Sequence, residues 1–146
     1  MHRLALGLVL AATALTSGCV TGPEVAGGPQ FLAQNGRRVV PMPEPGVFEV
    51  LAKAGDGGPS FFCAAGDFAD RRLGARATDR VVLIEPVGDS RSYPGTRGAQ
   101  FRVMSPAEAP PSSGLFFRMN RAGESRTIGA ALQSCNRSGN GINDTW

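Results

Sequence analysis

The sequence predicts a small α+β domain, in which one helix packs on one face of a mostly antiparallel sheet, preceded by a flexible N-terminal tether. Residues 60–73 place apolar side chains at helical spacing, whereas several shorter segments alternate or are uniformly apolar, as strands do. Strands are expected on both sides of this helix rather than in regular alternation with helices, which is the order of an α+β fold. With 20 glycines and 11 prolines in 146 residues, the chain does not suit a helix bundle or a coiled coil.

The first strand is predicted at residues 48–52 and is followed, after a glycine-rich break, by the helix at residues 60–73. Pro59 suits the start of this helix because its missing N–H costs nothing in the first turn, and Gly74 lies where a C-terminal cap is expected. One face of the helix is apolar and consists of Phe61, Ala64, Ala65, Phe68 and Ala69. We therefore expect this face to cover the sheet.

The strongest strand is predicted at residues 80–85. It contains four consecutive apolar residues, most of them β-branched, which indicates a strand that is covered on both faces and therefore central. Pro86 is expected to end this strand because it cannot donate a ladder hydrogen bond. Residues 88–98 then form a long loop.

The remaining strands are predicted from shorter patterns. Residues 99–104 alternate between apolar and polar side chains, and residues 115–119 form another strand. Residues 126–132 form a final strand or a short helix. Residues 38–40 add a short edge strand near the N-terminus of the domain.

The N-terminus carries the pattern of a secretory signal peptide. His2 and Arg3 precede an uncharged apolar run over residues 4–15, which is shorter than the about 20 residues that a membrane-spanning helix needs. The run leads into Leu15-Thr16-Ser17-Gly18-Cys19, which resembles the lipobox of bacterial lipoproteins, with Thr16 in place of the usual leucine. The resemblance implies cleavage before Cys19 and acyl chains on this cysteine, which would anchor the chain in a membrane.

The residue after the cysteine indicates the destination. Val20 stands where some lipoproteins carry the aspartate that retains them at the inner membrane, so the resemblance implies an outer-membrane protein that faces the periplasm. The small-x-small sequence Ala12-Thr13-Ala14 is an alternative cleavage site. Its use would give a soluble periplasmic or secreted protein.

Composition also predicts where the domain begins and ends. Residues 1–18 form the signal peptide, and residues 19–46, rich in glycine and proline, form a lipid-anchored tether. The α+β domain is predicted at residues 47–135. Residues 136–146 form a polar tail.

Cys63 and Cys135 are expected to form a disulfide. Three cysteines in an exported protein leave one unpaired, and acylation of Cys19 makes the other two an even set. An exported domain with few large apolar residues depends on such bonds, and this one should contribute roughly 4 kcal/mol in the chain-entropy model. The alternatives are two free thiols or a thiol nucleophile at Cys63, which would have no histidine to activate it.

The scarcity of histidine restricts the chemistry. His2 is the only histidine and leaves with the signal peptide, so Ser-His-Asp and Cys-His arrangements and the common zinc sites are excluded from the mature chain. Asp56 lies among glycines without the alternating acidic ligands of a calcium loop, so no metal or cofactor is expected. A net charge of +3, from 15 basic and 12 acidic residues, argues against a nucleic-acid partner.

The long loop after the strongest strand is the best candidate for a binding surface. Arg91, Tyr93 and Arg97 cluster there, and long loops on a rigid scaffold often carry binding residues. Such a set suits an anionic or carbohydrate partner, and a merely polar loop is the alternative. Asp67 and Asp70 share a helix face, which is expected to be solvated and salt-bridged.

These observations favour a non-catalytic envelope lipoprotein, which binds a protein or glycan of the envelope or assists assembly there. The main alternative is a small envelope hydrolase built on carboxylates such as Asp67, Asp70 or Glu85. It would need two carboxylates about 5–10 Å apart across a groove. A secreted inhibitor is a third possibility and would need a rigid exposed loop held by the disulfide. Lys53, the only lysine, is expected to be an ordinary surface residue.

Overall fold

A computed structural model describes residues 29–111 and 116–138 of the chain. The predicted signal peptide, the lipobox-like segment and Cys19 lie outside the described residues. The same holds for Leu115, at the start of a predicted strand, and for residues 139–146 of the predicted polar tail.

The described residues form one six-stranded antiparallel sheet with helices packed on one face, which confirms the predicted α+β class. The strands are β1 (Phe31–Leu32), β2 (Arg38–Pro41), β3 (Val47–Leu51), β4 (Arg80–Asp89), β5 (Arg97–Met104) and β6 (Ser125–Thr127). Their order in the sheet is β1-β2-β3-β5-β4-β6. The helices are α1 (Gly58–Arg71), α2 (Ile128–Gln133) and α3 (Cys135–Ser138).

Aromatic side chains join α1 to the middle of the sheet. Phe48 of β3 and Phe101 of β5 are register partners, so both project from the same face. The ring of Phe68 on α1 lies 4.6 Å from that of Phe48, and the ring of Phe62 lies 5.3 Å from that of Phe101. Apolar burial of this kind is the dominant favourable contribution to folding.

Helix α1 is buried on more sides than its apolar stripe predicts. Cys63 is completely buried, and Asp67 is 2% exposed. The prediction of a solvated helix face is therefore wrong for Asp67 and correct only for Asp70, which is exposed. The reason is that α2 and α3 also pack against α1, and residues of the β1–β2 turn approach it as well. The helical layer therefore contains two short helices besides the single one that was predicted.

The folded region begins before the predicted boundary at residue 47. Val39 and Val40 of β2 are both 0% exposed, and β2 pairs with β3 on one side and with β1 on the other. Residues 29–46 are therefore part of the domain rather than of a tether. Pro41 is tolerated because it occupies the last position of β2.

Strand β4 continues past Pro86, which was expected to end it. The pairing of β4 with β5 shifts register between Leu83 and Glu85 and again between Glu85 and Gly88. These irregularities accommodate the proline without ending the strand. As a result β4 reaches Asp89, and the loop that follows spans only residues 90–96. Strand β4 lies between β5 and the edge strand β6, so it is an interior strand, although not at the centre of the sheet as predicted.

The segment 116–119 is not a strand, contrary to the prediction for residues 115–119. Phe117 instead packs against Phe62, with the ring centroids 5.4 Å apart, so its apolar character serves the helix layer rather than a ladder. Residues 125–127 form the edge strand β6, and α2 follows directly, with the Thr127 side chain capping its N-terminus. The segment 126–132 was predicted to be a strand or a short helix, and it contains the end of a strand followed by a short helix.

The contact between α1 and α2 depends on a glycine, which gives a first prediction. A Cβ added at Gly66 would lie 2.8 Å from the Cβ of Ala131, closer than such atoms approach each other. Gly66→Ala should therefore destabilise the protein by about 1–3 kcal/mol, although alanine has the higher helix propensity. Urea denaturation measures this loss. The double variant Gly66→Ala/Ala131→Gly should recover only part of it, because the added Cβ still lies 3.3 Å from the Ala131 carbonyl carbon and glycine weakens α2. A single variant as stable as the wild type would contradict the close packing.

Candidate binding groove

An open groove lies where the loop after β3, the first turn of α1, the start of β5 and residues 117–120 meet. Its volume is about 690 Å³, within the range of small-molecule sites. The residues that line it are Ala52, Lys53, Ala54, Gly55, Asp56, Gly57, Gly58, Phe61, Val87, Gly95, Thr96, Arg97, Phe117, Met119 and Asn120. These come from segments distant in sequence, so the fold rather than a local motif creates the groove.

One wall of the groove is built on a glycine. A Cβ at Gly58 would lie 2.2 Å from the Cβ and 2.4 Å from the carbonyl oxygen of Phe117, so only glycine lets residues 117–120 lie directly on the first turn of α1. The Val87 N–H donates to the Met119 carbonyl at 3.0 Å, and the Arg126 guanidinium donates to the Phe116 carbonyl at 2.9 Å. The wall is therefore held by β4 through Val87 and by β6 through Arg126.

Arg126 holds this wall through aromatic contacts as well. Its guanidinium carbon lies 4.8 Å from the ring centroid of Phe117 and 5.7 Å from that of Phe62. It also forms a 2.9 Å ion pair with the buried Glu124. Because cation–π contacts strengthen when they are desolvated, this buried arrangement fixes the Phe117 side of the groove.

The groove combines apolar walls with a positive rim. Phe61, Phe117, Val87 and Met119 supply its large apolar side chains. Lys53 and Arg97 are exposed, and among the described residues no ion pair reaches either of them.

The acidic residue of the groove is already neutralised. Asp56 is the single carboxylate among the described lining residues, and it accepts a hydrogen bond from the Arg37 guanidinium and one of 2.7 Å from the Lys53 backbone N–H. Helix α1 contributes no acidic side chain in its first turn, and its N-cap residue Gly57 makes no side-chain cap. The residues that line the groove therefore carry a net positive charge.

A buried carboxylate on the other face of the sheet holds the loop 90–96. Glu49 of β3 is 1% exposed and accepts hydrogen bonds from the Ser90 hydroxyl at 2.8 Å, the Arg91 N–H at 2.9 Å and the Ser92 N–H at 3.0 Å. A Cβ at the neighbouring Gly98 would lie 2.9 Å from Oε1 of Glu49, so glycine leaves room for the carboxylate. The far end of the loop carries Gly95 and Thr96 into the groove.

The structure divides the predicted binding set between two places. Arg97 lies in the groove, where its guanidinium donates to the Val87 carbonyl at 3.2 Å. Arg91 instead forms an ion pair with Glu85, and the Tyr93 hydroxyl accepts a hydrogen bond from the Gln30 amide. Neither of these two side chains lines the groove.

The carboxylates considered for hydrolysis do not line the groove either. Asp67 accepts a 2.8 Å hydrogen bond from the Gln34 N–H and lies 3.3 Å from the Arg71 guanidinium, while Asp70 is exposed on α1. Glu49, Phe117 and Met119 were not expected at a binding site from the sequence, and Lys53 was expected to be an ordinary surface residue. No local pattern marks these residues because each gains its place only through tertiary contacts.

The predicted disulfide is present in the structure. Cys63 of α1 and Cys135 of α3 are bonded, with their Cα atoms 4.8 Å apart. The Gln34 amide donates to the sulfur of Cys135 at 3.0 Å, so the β1–β2 turn also approaches the bond. The bond lies on the helix layer and contributes no residue to the groove.

The pKa shifts that the structure supports lie away from the groove. Hydrogen bonding from the Arg76 guanidinium lowers the pKa of Asp79 below its usual value, and hydrogen bonds from Ser105 lower the pKa of Glu108. Within residues 29–111 and 116–138, no cluster of histidine, cysteine and acidic residues is suited to hold a metal ion. No helix in this part of the chain has the length and apolar content to span a bilayer.

The fold and the groove define a small, disulfide-linked α+β domain with an open site suited to binding. Comparison of the chain with protein-family models, curated proteins and solved structures finds no match.

Proposed function

We propose that the protein is a non-catalytic bacterial envelope lipoprotein whose domain binds a ligand or partner in the groove. Acyl chains on Cys19 would hold it at the outer membrane, where the domain faces the periplasm. The observation that carries the proposal is the groove itself, in which Lys53 and Arg97 stand beside apolar walls without an ionic partner among the described residues.

The groove favours binding over hydrolysis. A carboxylate-dependent hydrolase needs two acidic groups about 5–10 Å apart across the substrate, one of them free to donate or accept a proton. The described lining contains Asp56 alone, and Arg37 already occupies its carboxylate. The lack of histidine in the mature chain supports the same choice, because the usual acid–base group near neutral pH is missing.

The anchor gives a second prediction. The protein produced in a bacterium should incorporate labelled palmitate and partition into the detergent phase, since several acyl chains anchor a protein firmly. Cys19→Ala should abolish the label. A Thr16→Leu variant, which restores the usual lipobox residue, should keep or increase it. Label that persists in Cys19→Ala, or a mature N-terminus at Leu15, would remove the lipoprotein proposal.

Binding through the groove is tested by site-specific crosslinking in living cells. A photoreactive phenylalanine analogue replaces Ala54, which lines the groove, or Ala107, an exposed alanine that does not. Irradiation should attach a discrete molecule at residue 54 and not at residue 107, and mass spectrometry identifies it. Identical products at both positions, or none at residue 54, would contradict a binding role for the groove.

A further inference from the structure

We infer that the groove binds a small amphipathic organic anion, namely a carboxylate attached to an aliphatic body. This inference rests on the proposed binding function of the groove and adds the chemical class of its ligand. It comes from two independent properties of the lining, its net positive charge and its apolar walls.

The charge of the groove selects an anion. Lys53 and Arg97 contribute positive charge, and the carboxylate of Asp56 is neutralised by Arg37, which does not itself line the groove. The first turn of α1 contains no acidic side chain. A carboxylate that enters the groove therefore gains attraction from both cations, while Asp89, the exposed register partner of Arg97 on β4, is an acid that does not line the groove.

The walls of the groove require an apolar body on that anion. Phe61, Phe117, Val87 and Met119 surround the same volume that the cations border. A fully hydrated ion such as acetate would leave these surfaces exposed to water, whereas an aliphatic chain removes them from water. An aliphatic chain with a charged end matches both parts of the lining at once.

Octanoate, 1-octanol and acetate separate these two contributions. Each is titrated into the isotope-labelled domain with its disulfide intact, and amide chemical shifts are followed by NMR. Octanoate should shift the amides of residues 53–57 and 95–97 with a dissociation constant of about 1 mM, the affinity expected for a ligand of this size. Octanol, which lacks the charge, and acetate, which lacks the chain, should each bind at least fivefold more weakly.

Substitutions then assign the charge to its residues. Arg97→Gln and Lys53→Gln should each weaken octanoate binding about two- to fivefold, as expected for a partly exposed ionic contact. Arg102→Gln is the matched control because Arg102 is an exposed arginine on the same strand and lies outside the groove. It should leave octanoate binding unchanged.

Gly57→Asp tests the sign of the charge without unfolding the helix. A Cβ at Gly57 meets only the Pro59 ring at 3.7 Å, an ordinary contact, and aspartate is a favoured N-cap residue. The variant should melt at the same temperature as the wild type or higher, and yet bind octanoate at least fivefold more weakly. Gly57→Ser, which caps without charge, should bind octanoate like the wild type.

The outcomes distinguish this inference from the function on which it rests. If octanol or acetate bound as tightly as octanoate, the inference that the groove binds an amphipathic anion would be wrong. It would also be wrong if Arg97→Gln and Lys53→Gln variants bound octanoate like Arg102→Gln. In each of these cases, a discrete crosslink at residue 54 would leave the groove as a binding site for another ligand. If octanoate did not bind and no discrete crosslink formed at residue 54, the proposal that the groove is a binding site would be wrong.

Discussion

Removal of the bond between Cys63 and Cys135 should lower the free energy of unfolding by about 4 kcal/mol. The bond closes a loop over a sequence separation of 72 residues, and loops of this length lose much conformational entropy in the unfolded chain when they are closed. A loss of this size is a large fraction of the stability of a small domain. Removal of the bond also breaks the covalent link between α3 and α1, two helices that pack against each other.

The measurement compares the wild type with Cys63→Ala/Cys135→Ala by urea denaturation. Alanine removes both thiols, so no buried thiol is left to complicate the result. A reductant that reaches the bond should lower the wild-type stability towards that of the double variant, and it should have no effect on the double variant itself. Two thiols that titrate in the unfolded, unreduced protein would show that the bond is not formed.

Replacement of Glu49 should have the next largest effect. Glu49→Ala removes the acceptor of the Ser90 hydroxyl and of the Arg91 and Ser92 N–H groups, and hydrogen bonds to a charged acceptor are among the stronger ones. We expect a loss of about 3 kcal/mol. Glu49→Gln, which keeps the size and one acceptor oxygen, should lose less.

Hydrogen exchange shows whether the effect arises in the loop. The amides of Arg91 and Ser92 should exchange faster in Glu49→Ala, since both lose their acceptor. Glu44→Ala is the matched control because its side chain is exposed in the turn before β3. Equal stability and equal exchange in the two variants would show that Glu49 does not hold the loop.

Replacement of Glu49 should also affect the groove. The Glu49 carboxylate holds the first residues of the loop 90–96, and the last residues of this loop, Gly95 and Thr96, line the groove. Glu49→Ala should therefore weaken octanoate binding although Glu49 does not line the groove.

The elements with strong local patterns were predicted from the sequence. The helix at residues 60–73 and the strands at 48–52, 80–85 and 99–104 all lie within a few residues of α1, β3, β4 and β5, because period and branching reflect burial directly. The pairing of Cys63 with Cys135 was also predicted, because simple arithmetic of cysteines in an exported chain leaves few choices.

The elements that depend on distant partners were not predicted. Strand β1 contains two residues and has no period of its own, so it exists only because β2 supplies its ladder. Asp67 is buried because the Gln34 N–H reaches it from the β1–β2 turn, a contact that no helical wheel contains. Burial of a polar side chain follows from its partners, and these are decided by the tertiary fold.

The candidate site was predicted only in part for the same reason. Arg97 was singled out because it lies near the end of a long loop, and the structure places it in the groove. Lys53 joins it from the other side of α1 and β4 in the sequence, and Phe117 joins it from beyond β5. Glu49 alternates with Phe48 and Val50, so its position in the strand predicts the opposite face of the sheet but not the loop that covers it.

The disulfide also determines how the domain responds to a mechanical force. Strands β4, β5 and β6 all lie between Cys63 and Cys135, within the covalent loop. A pull between residues 29 and 138 can extend β1, β2 and β3 but cannot straighten the 72-residue span closed by the bond. At about 3.5 Å per residue, roughly 250 Å of chain stays hidden until the bond is reduced. A molecule tethered at one end and loaded at the other would lengthen in two steps, the second only under reducing conditions.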